Sequence, residues 1–186
     1  MTFADKISSV RILLIPVFVS LLIYSPQKEL LRYVAAGVFL IAVFTDFLDG
    51  LIARIKKEKS ELGQIIDPLA DKLLLLTAFI SLYLLEFTIP LWVVLVVVSR
   101  DGVILIGVLT LHLMNKKIQF SPSVWGKLTT FFQMITILSV LLWGGQNIAV
   151  WTIWTATVVF TGISGIDYFV RGAKALNGNS RSAART

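Results

Sequence analysis

The sequence predicts an all-α integral membrane protein with six transmembrane helices, a short amphipathic N-terminal segment and both termini in the cytoplasm. Three observations carry this reading. Of 186 residues, 56% are hydrophobic and only 15% charged, whereas water-soluble domains carry about a quarter charged residues. Mean hydropathy is +0.84. Six apolar runs recur along the chain, each near the ~20 residues that span a bilayer as a helix.

The first run covers residues 8–25, behind the amphipathic start MTFADKISSV. Lys6 and Arg11 precede it as in a signal peptide, but no small-residue cleavage site follows. Ser25-Pro26-Gln27-Lys28 reads instead as a turn, so the first helix is expected to be retained. The other runs are 31–56, 67–86, 89–114, 124–144 and 147–171. Pro90 and Pro122 stand where the fourth and fifth helices begin, a place that tolerates proline. Gly144-Gly145-Gln146-Asn147 reads as a tight turn. Residues 1–175 are expected to form one membrane domain, and 176–186, small and polar, a flexible cytoplasmic tail.

An even number of spans puts both ends on one side. Counting helix-embedded residues with the nearer end, that side holds 15 of the 17 Lys and Arg residues, and the other only Lys28 and Arg32. The positive-inside rule then places the termini and the 115–123 loop in the cytoplasm of a cell inner membrane. The net charge of +6 reports this orientation, and no nucleic-acid partner is expected. The absence of cysteine excludes disulfides and thiolate metal sites, and the lone His112 excludes a histidine cluster. A general base is therefore expected to be a carboxylate.

Two acidic segments stand at facing ends of the second and third runs. One reads Asp46-Phe47-Leu48-Asp49-Gly50-Leu51-Ile52-Ala53-Arg54, the other Gly63-Gln64-Ile65-Ile66-Asp67-Pro68-Leu69-Ala70-Asp71. Asp46, Asp49, Gly50, Ala53 and Arg54 share one helix face, as do Gly63, Asp67 and Asp71. Two helices joined by a short turn would oppose these faces. Four carboxylates in low dielectric cannot all stay ionised unaided. One or two divalent cations would resolve the repulsion, and all-oxygen ligands suit Mg²⁺ or Mn²⁺. Gly50, Ala53 and Gly63 leave room for a bulky group beside the metal, and Arg54 offers a planar fork for phosphate.

The eight fixed positions of Asp-x2-Asp-Gly-x2-Ala-Arg-x8-Gly-x3-Asp-x3-Asp resemble the signature of the CDP-alcohol phosphotransferases, integral membrane enzymes of phospholipid synthesis. The resemblance implies transfer of a phosphatidyl group from CDP-diacylglycerol to an alcohol, with release of CMP. It implies metal ligation by Asp46, Asp49, Asp67 and Asp71. It also implies CDP-lipid binding at Asp49, Gly50, Ala53, Arg54 and Gly63, with Asp71 as general base, and a homodimer among membrane lipids.

For the acceptor, the start around Arg11, the run Asp67-Pro68-Leu69-Ala70-Asp71-Lys72 and the ending Ser164-Gly165-Ile166-Asp167-Tyr168 are similar to phosphatidylglycerophosphate synthases. That implies glycerol 3-phosphate, with Arg11, Arg100 and Lys127 as acceptor-binding residues. Asp5 replaces the usual Asn of that start, and Asp101 stands where those enzymes carry Glu. Thr129 stands where their Gly-Lys-x-Lys-Thr pattern has a second lysine. Ser99-Arg100-Asp101 and Gly126-Lys127 are also similar to CMP-forming cardiolipin synthases, whose acceptor is phosphatidylglycerol. From the residues alone, Arg100 has a second reading as half of a structural ion pair with a carboxylate on a neighbouring helix, Lys127 as an interfacial lysine and Asp167 as a partner of Arg171 at i+4. A divalent-cation channel or transporter is the reading from another class. It would spread carboxylates around a pore, whereas here four gather on one hairpin beside Gly, Ala and Arg.

Overall fold

The computed structural model describes residues 3–56, 63–113, 123–144 and 147–183, with side chains at 12–45, 72–107, 123–144 and 147–170. Among these residues it is all-helical: α1 Phe3–Tyr24, α2 Glu29–Lys56, α3 Gly63–Leu84, α4 Leu91–Leu113, α5 Val124–Trp143 and α6 Ile148–Ala183. A short 3-10 turn, Ser25–Gln27, links α1 to α2. The expected runs thus appear as helices, with ends moved by a few residues. The larger difference is at the end: α6 continues as helix to Ala183, past residue 176 where the tail was expected. Ala173, Lys174, Ala175 and Leu176 are strong helix formers, and they carry the helix beyond its apolar part.

By length and composition, two described helices can cross a membrane, Val124–Trp143 and Ile148–Val170. Their ends are well punctuated. Gly144 closes α5 at φ +71°, its N–H bonded to the Val140 carbonyl at 3.0 Å, a left-handed cap that glycine adopts without strain. Asn147 opens α6, its Oδ1 accepting the Ala149 N–H at 3.0 Å, a side-chain N-cap. Pro90 lies just before α4, and its carbonyl accepts the N–H groups of Val93 and Val94.

Short links join α1 to α2, α3 to α4 and α5 to α6, and each of these pairs packs together. The α5–α6 and α1–α2 contacts are the most extensive. Helix α1 also packs on α3, α4 on α6, and α5 on both α2 and α3. The core is apolar and continuous. Phe18 and Leu22 of α1 meet Ala35, Phe39 and Ala42 of α2, and Leu74, Leu75, Ala78, Phe79 and Leu82 of α3 complete that half. Val93, Val97, Ile137, Val140 and Trp154 fill the other. Phe18 and Phe39 pack ring on ring, centroids 5.8 Å apart.

The α5–α6 seam is held differently. Buried hydroxyls line it: Thr129, Thr136 and Ser139 on α5, Thr157, Thr161 and Ser164 on α6. Thr136 and Thr157 bond to each other at 2.7 Å, and Thr129 Oγ1 donates to the Phe160 carbonyl at 2.9 Å. Such bonds between membrane helices contribute modestly, because the separated helices also find partners. Replacement of Phe39 by Ala should therefore destabilise the bundle by ~3 kcal/mol, and Thr157→Val by ~0.6 kcal/mol. Unfolding in mixed micelles should rank the two in that order.

Candidate functional site

The two halves of the acidic signature lie on α2 and α3, at positions 46–54 and 63–71. On α2, buried Ala35, Phe39 and Ala42 form a stripe at i, i+4 and i+7. Positions 46, 49, 50 and 53 continue that stripe in register within the same helix. On α3, buried Leu75, Ala78 and Leu82 define the stripe, and by helix register positions 71 and 67 fall near its line toward the N-terminus, while position 63 falls about 100° off it. The side chains of Asp46, Asp49, Gly50, Ala53, Arg54, Gly63, Asp67 and Asp71 lie outside the described residues, as does that of Arg11. The expected opposition of the two acidic faces lies outside them too. Among the described residues no group of three or more His, Asp or Glu side chains gathers to hold a metal.

What the described residues do bring together begins one position beyond Asp71. Lys72 of α3 reaches Asp101 of α4, Nζ to Oδ2 3.4 Å, and Thr130 Oγ1 of α5 at 3.3 Å. Asp101 has no exposed surface. Its Oδ1 takes the Arg100 Nη1 at 2.6 Å, and its Oδ2 also accepts from Gln133 Nε2 of α5 at 3.2 Å. Arg100 Nη2 donates to Ser164 Oγ of α6, and its guanidinium lies over the Tyr168 ring, 5.7 Å from the centroid. One buried carboxylate thus gathers groups from α3, α4 and α5, and through Arg100 from α6.

A small residue at position 126 leaves room for this approach. A Cβ there would stand 3.5 Å from Arg100 Nη2, 3.7 Å from the Tyr168 ring and 3.8 Å from Ser164 Oγ. Any longer side chain would compete with the guanidinium for space. Nearby, Ser123, just before α5, donates to Asp167 Oδ2 of α6, tying the helices at this end. The expected Asp167–Arg171 pair involves a side chain, Arg171, outside the described residues.

Of the acceptor-binding candidates, Arg100 is buried and engaged by Asp101 and Ser164, and its Nε has no partner among the described residues. The ion pair expected from the residues is real, but its carboxylate is the next residue rather than one on another helix. Lys127 is exposed on the first turn of α5. Thr129, where a second lysine was expected, is buried and bonded to the Trp125 and Phe160 carbonyls. Sequence reasoning assigned no role to Lys72, Thr130, Gln133, Ser164 or Tyr168. Two signals existed: Gln133 is an amide inside an apolar run, and Lys72 is a charge directly after the signature.

Comparison with known proteins follows the same line. The family model described as CDP-alcohol phosphatidyltransferase matches residues 1–162. Enzymes of that family take a CDP-alcohol donor and an alcohol acceptor and are generally divalent-metal dependent. A probable phosphatidylglycerophosphate synthase of Mycobacterium tuberculosis is 34% identical over 185 residues, 97% of this chain and 86% of the relative. A CDP-diacylglycerol–glycerol-3-phosphate 3-phosphatidyltransferase of Bacillus subtilis is 31% identical, covering 92% of this chain and 95% of the relative. A CMP-forming cardiolipin synthase of Rattus norvegicus is 30% identical, covering 93% of this chain and 62% of the relative.

The space around Gly126 makes a graded expectation. Gly126→Ala adds only ordinary contacts and should leave thermal stability and turnover nearly unchanged. Gly126→Leu must displace Arg100 or Tyr168 and should cost roughly 1–3 kcal/mol by overpacking. Parallel melting curves and CMP-release rates of the two variants check this.

Proposed function

We propose that this chain, which belongs to the CDP-alcohol phosphatidyltransferase family, transfers the phosphatidyl group of CDP-diacylglycerol to glycerol 3-phosphate and releases CMP. Phosphatidyltransferase activity comes with the family; the acceptor is our reading. One observation carries it. The Mycobacterium tuberculosis and Bacillus subtilis relatives, named for phosphatidylglycerophosphate synthesis, are matched along 86% and 95% of their own lengths, the rat cardiolipin synthase along 62%. A second reading, phosphatidylglycerol as acceptor, is favoured by Ser99-Arg100-Asp101.

In the proposed reaction the Asp71 carboxylate takes the proton of the acceptor hydroxyl. The hydroxyl oxygen attacks the phosphatidyl phosphorus, the bond from that phosphorus to the bridging pyrophosphate oxygen breaks, and CMP departs with the bridging oxygen. Asp46, Asp49, Asp67 and Asp71 would hold one or two Mg²⁺ or Mn²⁺, which supply charge neutralisation at the pyrophosphate and its leaving group. A four-carboxylate donor set fits such hard cations, and the register of α2 and α3 supports an inward position for all four. Asp49, Gly50, Ala53 and Gly63 would receive the cytidine end of the donor, with Arg54 on its phosphates. Arg11, Arg100 and Lys127 would attract the acceptor phosphate.

The same proposal includes six spans within one membrane domain at 1–175, a cytoplasmic segment at 176–186, a cytoplasmic-facing site in the inner membrane, and a homodimer. The excess of Lys and Arg at one set of helix ends supports the orientation.

Purified protein in lipid, given CDP-diacylglycerol and Mg²⁺ or Mn²⁺, should release CMP with glycerol 3-phosphate and stop on chelation. Asp71→Asn should stay folded and lose about 10²–10⁴-fold in turnover, the range for a general base. CMP release with phosphatidylglycerol alone would replace the leading acceptor with the second. Full turnover in Asp71→Asn would remove the base assignment.

Because the chain has no cysteine, single introduced thiols read the topology cleanly. Lys28→Cys should react with a membrane-impermeant maleimide from outside intact cells, and Ser182→Cys only after the membrane is opened. The reverse pattern would invert the orientation.

A further inference from the structure

We propose that Asp101 is a positioning residue for catalysis: by holding the Lys72 ammonium, it fixes the rotation of α3 at the position next to Asp71. The inference rests on the reading of Asp71 as the base, and it adds a residue to which that reading gives no role.

The observations converge on one carboxylate. Asp101 has no exposed surface and receives Arg100, Lys72 and Gln133. Gln133 directs its amide nitrogen to Asp101 while its own Oε1, also buried, has no partner among the described residues. A buried acceptor left unsatisfied is costly, so the amide is oriented by the carboxylate rather than by its own needs. A lone staple between helices would not require this. Replacing a buried ion pair with apolar side chains is often neutral or stabilising, so an ionic contact inside an apolar bundle reads first as functional.

The location gives that function a direction. From Leu74 onward α3 is held by apolar packing. Lys72 is the described side chain of α3 nearest the signature, and its two partners lie on α4 and α5. A helix advances about 100° per residue, so a contact that fixes the azimuth of position 72 fixes that of 71 as well. The tie of Lys72 to Asp101 and Thr130 would therefore set the azimuth of position 71. Loss of the tie leaves the first turns of α3 held only from Leu74 onward, and displacements near 1 Å at a catalytic group are costly to rate.

Asp101→Asn, Lys72→Met and the double variant, assayed for CMP release in lipid, test the proposal. Each single variant should lower kcat at least tenfold while KM for CDP-diacylglycerol moves less than threefold. The double variant should be no slower than the worse single, since both break the same tie. Asp101→Glu should recover most of the lost kcat, because it restores a carboxylate within reach of Lys72. Additive losses in the double variant, or a change confined to KM, would overturn the proposal. Should Asp101→Asn fail to fold, Lys72→Met alone decides, because it leaves the Arg100–Asp101 pair in place: normal kcat overturns the tie. Asp71→Asn run alongside reports on the base itself, so an error there is distinguishable from an error here.

Discussion

A carboxylate with no access to solvent, placed among apolar helices, sets the terms for the centre of this bundle. An ionised Asp101 in that medium requires nearby cations, and it has two, Arg100 at 2.6 Å and Lys72 at 3.4 Å. Each cation in turn needs its remaining donors satisfied, which brings in Ser164 and Thr130. Those partners sit on α6 and α5, so the demand for charge neutralisation becomes a demand for a particular packing of four helices. The small size of the residue at position 126 follows from the same chain of needs, since Arg100 and Tyr168 occupy the space that a side chain longer than alanine's would fill.

The two halves of the bundle meet this centre by different means. Around α1, α2 and α3 the contacts are aromatic and aliphatic, with Ala35, Ala36, Ala42 and Ala78 admitting close approach. Between α5 and α6 the stacked rings of Phe132 and Phe160 are joined by bonds from hydroxyls to hydroxyl, carbonyl or carboxylate oxygens, from Thr157 up to Ser123 and Asp167. Lipid gives no hydrophobic drive to bring two apolar helices together, so small and hydrogen-bonding residues perform that task. The consequence is functional. Helix α5 carries Gly126, Lys127, Thr130 and Gln133, and the hydroxyl seam fixes its rotation so that three of these face Arg100, Lys72 and Asp101.

The helices were legible in the sequence because apolar runs in a membrane chain are long, and turns such as Ser25-Pro26 and Gly144 interrupt them sharply. The signature was legible because eight spaced positions define two faces without any tertiary knowledge. The knot at Asp101 was not. Lys72 and Asp101 are 29 residues apart, and Arg100 and Ser164 are 64 apart; no local periodicity encodes such pairings. Sequence logic sought a carboxylate for Arg100 on another helix, whereas a membrane arginine can fold back on its neighbour and share that neighbour with a distant lysine. The extent of α6 was misjudged for a simpler reason: its last turns are polar, and polarity was read as loss of helix although Ala, Lys and Leu there keep the propensity high.

The departure at Thr129 bears on the choice between acceptors, and its position weakens the case drawn from it. A phosphate monoester such as glycerol 3-phosphate carries close to two negative charges near neutral pH, while a phosphodiester carries one. Loss of a lysine would favour the diester if that lysine belonged to the cationic cluster. Thr129 instead commits its hydroxyl to carbonyls of α5 and α6, on the edge of α5 that turns to the seam. Among the described residues, Arg100 and Lys72 are paired with the one carboxylate of Asp101, and Lys127 is exposed on the adjoining turn. In the proposed reading, the cations that would meet a phosphate monoester do not include position 129. The balance therefore rests on Lys127 and on how firmly Asp101 retains its two partners, since a carboxylate that let go of either cation would change what the acceptor phosphate meets.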